Sequence, residues 1–352
     1  MSAGGGFYRM VEAIEAGGKP ILRLHIGETR LPPPPEAVEA ASAALRSGKP
    51  GYGSAWGALA LREAIARREG CAVEQVVVGP GSKHLLYALL SVLADRGAKV
   101  AVPSPAWPAY ELMARQLGLE LQSLPSTLED AWRFDPATVE SAALVLLCNP
   151  LNPTSTVYPP SLVEAVETRT RAAGATLILD EAYRGLAFEE VPTCAAAIRV
   201  RSFSKEFSLE GWRLGYAVAP APVAEKLAAF NQLSITCVPQ LVQAAGLACL
   251  QAEERILCEA RAIWRMRAGV ATTALREAGF QFVEPQSGMY VFAAHPEAPD
   301  DQAFAERLLK AGVAVAAGSA FRAPGFVRIC TNCESHEFQE AVRRMRGVLK
   351  AH

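Results

Sequence analysis

Short apolar segments alternate with helical patterns through the middle of this chain. Strand patterns lie at 76–78, 99–102, 142–148, 176–179, 199–203 and 214–218. Helical spacing follows at 83–96, at 160–173 and from near 222. Strands that alternate with helices form a mostly parallel sheet with helices on both of its faces. The pattern therefore predicts an α/β fold, with a large domain over residues 41–261.

The last ninety residues have a different order of elements. Helical patterns at 263–278, 302–311 and 335–350 are mixed with strand-like stretches at 281–285, 288–294, 312–318 and 326–331. This order predicts a smaller α+β domain over 262–352. We expect residues 1–40, which contain the stiff run Pro32–Pro35, to cross over and join it.

Composition and charge exclude several classes of protein. The 352 residues are 51% apolar and 20% charged, as in an ordinary globular protein and unlike a disordered or collagen-like chain. The 35 basic residues nearly balance the 36 acidic ones, which argues against a nucleic-acid-binding surface. The longest apolar run, 142–148, is too short to cross a membrane, and the N-terminus lacks a signal-peptide pattern. We expect a cytoplasmic enzyme.

The eight cysteines are scattered through apolar segments, which favours reduced, buried side chains. Only Cys330 and Cys333 form a C-x-x-C motif, and no second pair stands at the spacing of a zinc site. Packing is therefore favoured over a metal or redox role for this motif, and we expect no metal site.

Polar residues follow the predicted strands at the points where the strands end. Ligands of doubly wound sheets bind at these carboxyl ends, so we expect one crevice to receive these side chains. They are Gly81, Ser82, Lys83, Ser104, Trp107, Asn149, Asn152, Asp180, Glu181, Tyr183, Ser202, Ser204 and Lys205. Each one alone also fits a plain structural role: a strand–helix turn at Gly81, packing for Trp107, a helix cap at Asp180 or an exposed loop at Lys205.

The same residues occur in ordered strings that resemble a known family. In chain order the strings are LHIGETRLPPPP, YGSAWGALALREAIA, GPGSK, SPAWPAY, NPLNPTS, LDEAYRGL, SFSKEFSLEGWRLGY and FVRICTN. Together they resemble the pyridoxal-phosphate-dependent aminotransferases of class I/II, which have fold type I. The string GWRLGY is most similar to the aspartate- and aromatic-type subgroup. The resemblance extends over nearly the whole chain.

The resemblance implies roles around pyridoxal 5'-phosphate. Lys205 is expected to form a Schiff base with the cofactor and then to carry a proton during catalysis. Asp180 is expected to stabilise the protonated ring nitrogen, and Asn152 and Tyr183 to bind the phenolic oxygen. Trp107 would stack on the ring. Lys205, Asp180 and Tyr183 are thus the expected catalytic residues.

The resemblance also implies the remaining contacts. Phosphate binding is expected from Gly81, Ser82, Lys83, Ser202, Ser204 and Arg213. Tyr52, in the segment 48–57, would reach the cofactor phosphate of a neighbouring subunit, which implies a homodimer with shared active sites. Arg328 would bind the α-carboxylate of the substrate, next to Gly27 and Asn152. The expected partners are an amino acid and a 2-oxo acid, without nucleic acid or membrane.

Two departures from the family pattern stand near these residues. Ser155 replaces the usual glycine after NPT, and Thr29 and Arg30 stand where the family usually has a proline and an aspartate.

Other reactions share this scaffold, so elimination, decarboxylation, racemisation or oxidation of an amino acid stays an alternative to amino-group transfer. Retention of Arg328 favours a substrate that keeps its α-carboxylate. A non-catalytic regulator is disfavoured, since no basic excess indicates a DNA-binding module. A nicotinamide-dependent dehydrogenase is disfavoured because the chain lacks G-x-G-x-x-G.

Overall fold

A computed structural model of the chain describes residues 3–48, 51–139 and 141–350. Its helices are α1 Ala3–Ala16, α2 Pro35–Arg46, α3 Leu59–Glu69, α4 Ser82–Leu93, α5 Pro108–Leu117, α6 Pro160–Ala172, α7 Phe203–Glu206, α8 Ala221–Ser234, α9 Gln240–Gln251, α10 Glu253–Glu277, α11 Asp301–Lys310 and α12 Ser335–Leu349. Its strands are β1 Leu22–Arg23, β2 Val76–Gly79, β3 Lys99–Ser104, β4 Glu120–Pro125, β5 Leu144–Cys148, β6 Thr176–Asp180, β7 Ile198–Ser202, β8 Gly215–Val218, β9 Gln281–Phe282, β10 Tyr290–Ala294, β11 Val313–Ala314, β12 Ala316–Ala317 and β13 Phe326–Cys330.

The largest sheet has seven strands in the order β2-β8-β7-β6-β5-β3-β4. Strands β4, β3, β5, β6 and β7 run parallel to one another, which confirms the predicted mostly parallel α/β sheet. Strand β8 runs antiparallel to both of its neighbours, β7 and β2. The connection from β7 to β8 contains only the one-turn helix α7 and a short 3₁₀ turn. A parallel crossover usually contains a full helix that packs on the sheet, and this connection has none.

Strand register aligns several strand ends at one edge of this sheet. Gly215 at the start of β8 lies opposite Gly79 at the end of β2 and Ser202 at the end of β7. Cys148 at the end of β5 lies beside Asp180 at the end of β6. The loops that carry the predicted site residues therefore leave the sheet on the same side.

The C-terminal part contains a four-stranded antiparallel sheet in the order β12-β13-β10-β9. The N-terminal segment reaches this part of the molecule, because β1 pairs in parallel with β11. Helix α2 instead packs its buried Ala37 and Ala41 in a cluster with α9. Helix α10 is continuous across residues 261 and 262 and begins ten residues before the predicted start at 263. The division into 41–261 and the two outer segments stays a prediction.

The core of the large sheet is apolar on both faces. All five residues of β5 are buried, as is usual for a central parallel strand covered by helices on both sides. Helix α4 buries Leu85, Leu86 and Leu89 against this sheet. Within the described part of the chain, no helix is both long and apolar enough to cross a bilayer.

Candidate active site

A cavity of about 410 Å³ opens at the shared edge of the seven-stranded sheet. Most of the predicted site residues line it: Ser82, Lys83, Trp107, Asn152, Asp180, Tyr183, Ser202, Ser204, Lys205 and Arg213. The cavity also has lining residues that the sequence did not assign to a cofactor site: Tyr110, Cys148, Ala182 and Glu210. Strand ends that are far apart in the chain thus converge on one space, as the parallel arrangement predicted.

One region of the cavity holds a buried carboxyl group without a cation. Asp180 accepts hydrogen bonds from the Tyr110 hydroxyl, at 2.7 Å, and from the main-chain N–H of Ala182, at 3.1 Å. Burial raises the pKa of Asp180 to about 6, although these two hydrogen bonds act in the opposite direction. No Lys or Arg of the described residues forms a salt bridge with this carboxyl group. A ligand cation placed here would stabilise the ionised form of Asp180.

Tyr110 lines the cavity, although the sequence analysis assigns it no role. Pro108 begins α5, so Tyr110 lies in its first turn, three residues after Trp107. The two rings meet edge to face, with centroids 5.4 Å apart. The Trp-x-x-Tyr spacing is the signal that could have placed Tyr110 beside Trp107, but it does not reveal the bond to Asp180.

In a second region, the residues predicted to bind the phenolic oxygen of the cofactor contact the arginine predicted to bind the substrate carboxylate. The amide of Asn152 donates to the Tyr183 hydroxyl at 3.3 Å, and its oxygen accepts from Arg328 at 2.9 Å. The hydroxyl groups of Tyr183 and Tyr290 lie 2.9 Å apart. The Arg328 guanidinium also lies 4.3 Å from the ring centre of Tyr290 and 4.7 Å from that of Phe321. Cation–π contacts on two rings orient the guanidinium in this region.

Sequence reasoning missed Tyr290, because nothing in its local pattern separates it from any other strand residue. It begins β10, and its neighbour along the sheet is Cys330 of β13, two residues after Arg328. Its hydroxyl lies against Gly27, where any side chain would collide with it. This close approach explains why a glycine stands at position 27. Burial raises the pKa of Tyr290 to about 12.

In a third region of the cavity, groups that can donate hydrogen bonds to an anion lie close together. Gly81 caps the N-terminus of α4 with φ +90°, and a Cβ there would lie 2.4 Å from the Arg213 guanidinium. Arg213 itself has φ +58°, in the left-handed region. Its guanidinium donates to the main-chain oxygens of Glu210 and Pro80, at 2.7 and 3.2 Å. Among the described residues no carboxylate pairs with it. Helix amides and an arginine without a counterion are suited to bind phosphate.

Two lysines also line the cavity. Lys205 lies in α7, directly after β7, and its amine donates to the main-chain oxygen of Gly27. The carboxylate of Glu210 lies 3.6 Å from the same amine. Lys83 places its amine 5.0 Å from the ring centre of Trp107. Burial lowers the pKa of both lysines, so their neutral forms are more accessible than those of exposed lysines.

Comparison with known proteins decides the family. The sequence model of the family "Aminotransferase class I and II" matches residues 19–345. The chain belongs to this family. An aspartate aminotransferase of Thermococcus kodakarensis is 37% identical over 317 residues, which cover 88% of this chain and 84% of that protein. An aspartate/prephenate aminotransferase of Thermus thermophilus is 33% identical and covers 94% of this chain and 92% of its own length.

A solved structure agrees with the sequence relatives. The aspartate aminotransferase of Thermotoga maritima superposes with a TM-score of 0.95 at 28% identity, covering 99% of this chain and 97% of that one. The predicted family, fold and amino-group transfer are therefore confirmed, and the alternative reactions on this scaffold are not supported. The chain is an aminotransferase.

The structure shows the backbone conformation at two positions where this aminotransferase departs from the family pattern, Ser155 and Arg30. Ser155 has φ +59°, a conformation that glycine adopts without strain, which accounts for the usual glycine there. Its hydroxyl accepts the main-chain N–H of Tyr290 at 3.2 Å, so the serine holds the start of β10. Arg30 also has a positive φ, of +53°.

All eight cysteines are free, and both Cys330 and Cys333 are buried.

Proposed function

We propose that this aminotransferase binds pyridoxal 5'-phosphate in the described cavity and moves an amino group between an L-amino acid and a 2-oxo acid. The observation that carries the proposal is the complementarity of the cavity. A guanidinium without a counterion and a helix N-terminus suit the cofactor phosphate, and the buried Asp180 carboxyl suits its ring nitrogen. When bound, the cofactor supplies an electron sink for bonds to the substrate α-carbon.

The residues of the chain divide the remaining tasks. Asp180 would keep the ring nitrogen protonated, and Tyr183 and Asn152 would donate to the phenolic oxygen. Trp107 would cover one face of the ring. Lys205 would anchor the cofactor covalently and carry the proton at the α-carbon, since burial lowers its pKa and makes the neutral amine more accessible than that of an exposed lysine. The phosphate donors would be Gly81, Ser82, Lys83, Ser202, Ser204 and Arg213.

A half-reaction screen tests the proposal. The cofactor-loaded protein is mixed with single amino acids. Aspartate is included because two relatives of this chain are named aspartate and aspartate/prephenate aminotransferase. We expect the absorbance of the lysine-bound cofactor to disappear with one or more amino acids, and a stoichiometric 2-oxo acid to form without ammonia. Release of free ammonia would instead indicate elimination or oxidation and would contradict the proposal.

Substitution of Arg328 by lysine should weaken amino-acid binding and leave cofactor binding unchanged. Arg328 donates to Asn152 and, at 2.8 Å, to the main-chain oxygen of His25, and its planar fork suits both oxygens of a carboxylate. Loss of one charged hydrogen bond costs about 1.5–3 kcal/mol, so KM should rise by about 10- to 160-fold. The measurement is steady-state KM beside the cofactor Kd. If the wild type binds an amino acid and its decarboxylated amine equally well, Arg328 does not read the carboxylate.

We also propose a homodimer in which Tyr52 completes the site of the partner subunit. Tyr52 is 90% exposed, yet its loop is held in place. The N–H of Gly53 donates to the Cys237 sulfur at 3.2 Å, and Gln240 donates to the oxygen of Gly51 at 3.0 Å. Leu233, also 90% exposed, adds apolar surface that a second copy would cover. Lys49 and Pro50 of the predicted segment 48–57 lie outside the described residues.

Hybrid dimers test the shared site. Lys205→Ala and Tyr52→Glu should each be inactive alone, whereas a dimer of one of each contains a site without either lesion. Random exchange makes half of the dimers hybrid, so the mixture should regain about a quarter of wild-type activity. A mixture that stays inactive after verified subunit exchange, or a monomer at working concentration, contradicts the shared site.

A cytoplasmic location belongs to the same proposal, in keeping with the free cysteines.

A further inference from the structure

Residues 25–29, here called the strap, cross the active site with their main chain bound by side chains. The strap contacts come from both parts of the molecule. Arg328 donates to the oxygen of His25, Lys205 to that of Gly27 and Asn332 to that of Glu28, while the N–H of Thr29 donates to Glu210 at 2.7 Å. The strap is therefore fastened directly to the groups that would hold cofactor and substrate.

Glu210 makes the contact between the strap and the lysine loop. One carboxylate oxygen, Oε1, accepts the N–H of Thr29 and lies 3.6 Å from the Lys205 amine. Thr29 is buried, so its N–H has no access to solvent as an alternative acceptor. A proline at position 29, as the family usually has, would carry no N–H and could not make this bond. The contact thus depends on a residue in which this chain departs from its family.

We propose that Glu210 is a positioning residue of this aminotransferase, with a carboxylate that fastens the strap over the site and serves as the counter-charge of the Lys205 amine. The assignment of the amine to catalysis rests on the proposed function. The two contacts of Glu210 are geometric features of the protein alone.

The surroundings of Lys205 define what this carboxylate does. Two further titratable groups act on the amine: Glu28, on the exposed side of the strap, and Cys330, on β13. Burial raises the pKa of Cys330 to about 12, so this thiol is neutral at physiological pH. Within the described part of the chain, Glu210 is the anion at salt-bridge distance from Lys205, and its charge counteracts the effect of burial on the amine. Its charge favours the protonated form of the free amine.

The charge is tested with Glu210→Gln, which keeps an oxygen to accept the N–H of Thr29 but removes the anion. In the cofactor-free full-length protein, competitive acetylation followed by mass spectrometry gives the pKa of Lys205. We expect this pKa to fall by about 1. Glu28→Gln is the matched control: it neutralises a nearby but exposed carboxylate, whose effect is screened by water, and should leave the pKa nearly unchanged.

The strap contact is tested with Thr29→Pro, which removes the N–H donor and keeps the Glu210 charge. Hydrogen–deuterium exchange of peptides covering the strap should become about fivefold faster, because one buried hydrogen bond is lost. The pKa of Lys205 should stay at its wild-type value. Glu210→Ala removes both functions and should show both changes, which keeps the proposal testable if the proline variant does not fold.

An unchanged Lys205 pKa in Glu210→Gln would overturn the counter-charge role. Unchanged strap exchange in Glu210→Ala would overturn the positioning role. Neither measurement requires bound cofactor. Failure of the proposed function would show instead as cofactor bound to a lysine other than Lys205, with both of these results intact.

Discussion

Replacement of Lys205 by alanine should abolish amino-group transfer and leave the fold intact. Among the described residues, the amine contacts the oxygen of Gly27 and the carboxylate of Glu210, which are polar groups outside the apolar core. The substitution would remove both the covalent anchor and the proton carrier, and kcat should fall by at least about 10⁴-fold. Non-covalent cofactor binding should persist, because the Arg213 and Asp180 regions are unchanged.

Borohydride reduction of the loaded protein, followed by peptide mapping, identifies the lysine directly. Lys83→Ala is the stringent control, since Lys83 lines the same cavity and also has a lowered pKa. This variant should retain the reduced label, and Lys205→Ala should lose it. A label found on Lys83 in the wild type would show that the assignment of Lys205 is wrong.

Substitution of Asp180 by asparagine should slow removal of the α-proton by about 10²- to 10³-fold. The amide has nearly the same shape, and its oxygen can still accept one hydrogen bond from Tyr110 or Ala182. It has no negative charge, however, and cannot stabilise a protonated ring nitrogen. The loss is therefore electrostatic, and we expect circular dichroism and thermal unfolding to remain close to wild type.

The rate is measured by stopped-flow absorbance with α-deuterated and unlabelled substrate, so that proton removal is observed itself. Tyr110→Phe is the matched control, because it removes the hydroxyl that donates to Asp180 and keeps the carboxylate. The pKa of Asp180 should rise in this variant, and the rate should fall by only about tenfold. A near-wild-type rate for Asp180→Asn would mean that the ring nitrogen is not paired with this residue.

The sequence alone determined the scaffold and the side of it that carries the site. Strands alternate with helices, and parallel strands end at one edge, so residues such as Asn152, Asp180 and Lys205 had to meet there. Asp180 ends β6, and Lys205 and Asn152 follow the ends of β7 and β5 by three and four residues. The strand ends themselves can be predicted from periodicity. The start of α10 was harder to predict from the sequence. Its first turn, with Glu253 and Glu254, follows α9 after a single residue and has no strong start signal.

Only the tertiary structure decided which residues touch across the cavity. The bond between Thr29 and Glu210 joins positions 181 residues apart, and the pair of Tyr183 and Tyr290 joins positions 107 apart. The contact of Arg328 with the oxygen of His25 spans 303 residues. Periodicity describes the face of one element at a time, and side-chain contacts depend on how separate elements pack and in which register. These distant contacts therefore arise only when the C-terminal sheet and the strap close over the ends of the large sheet.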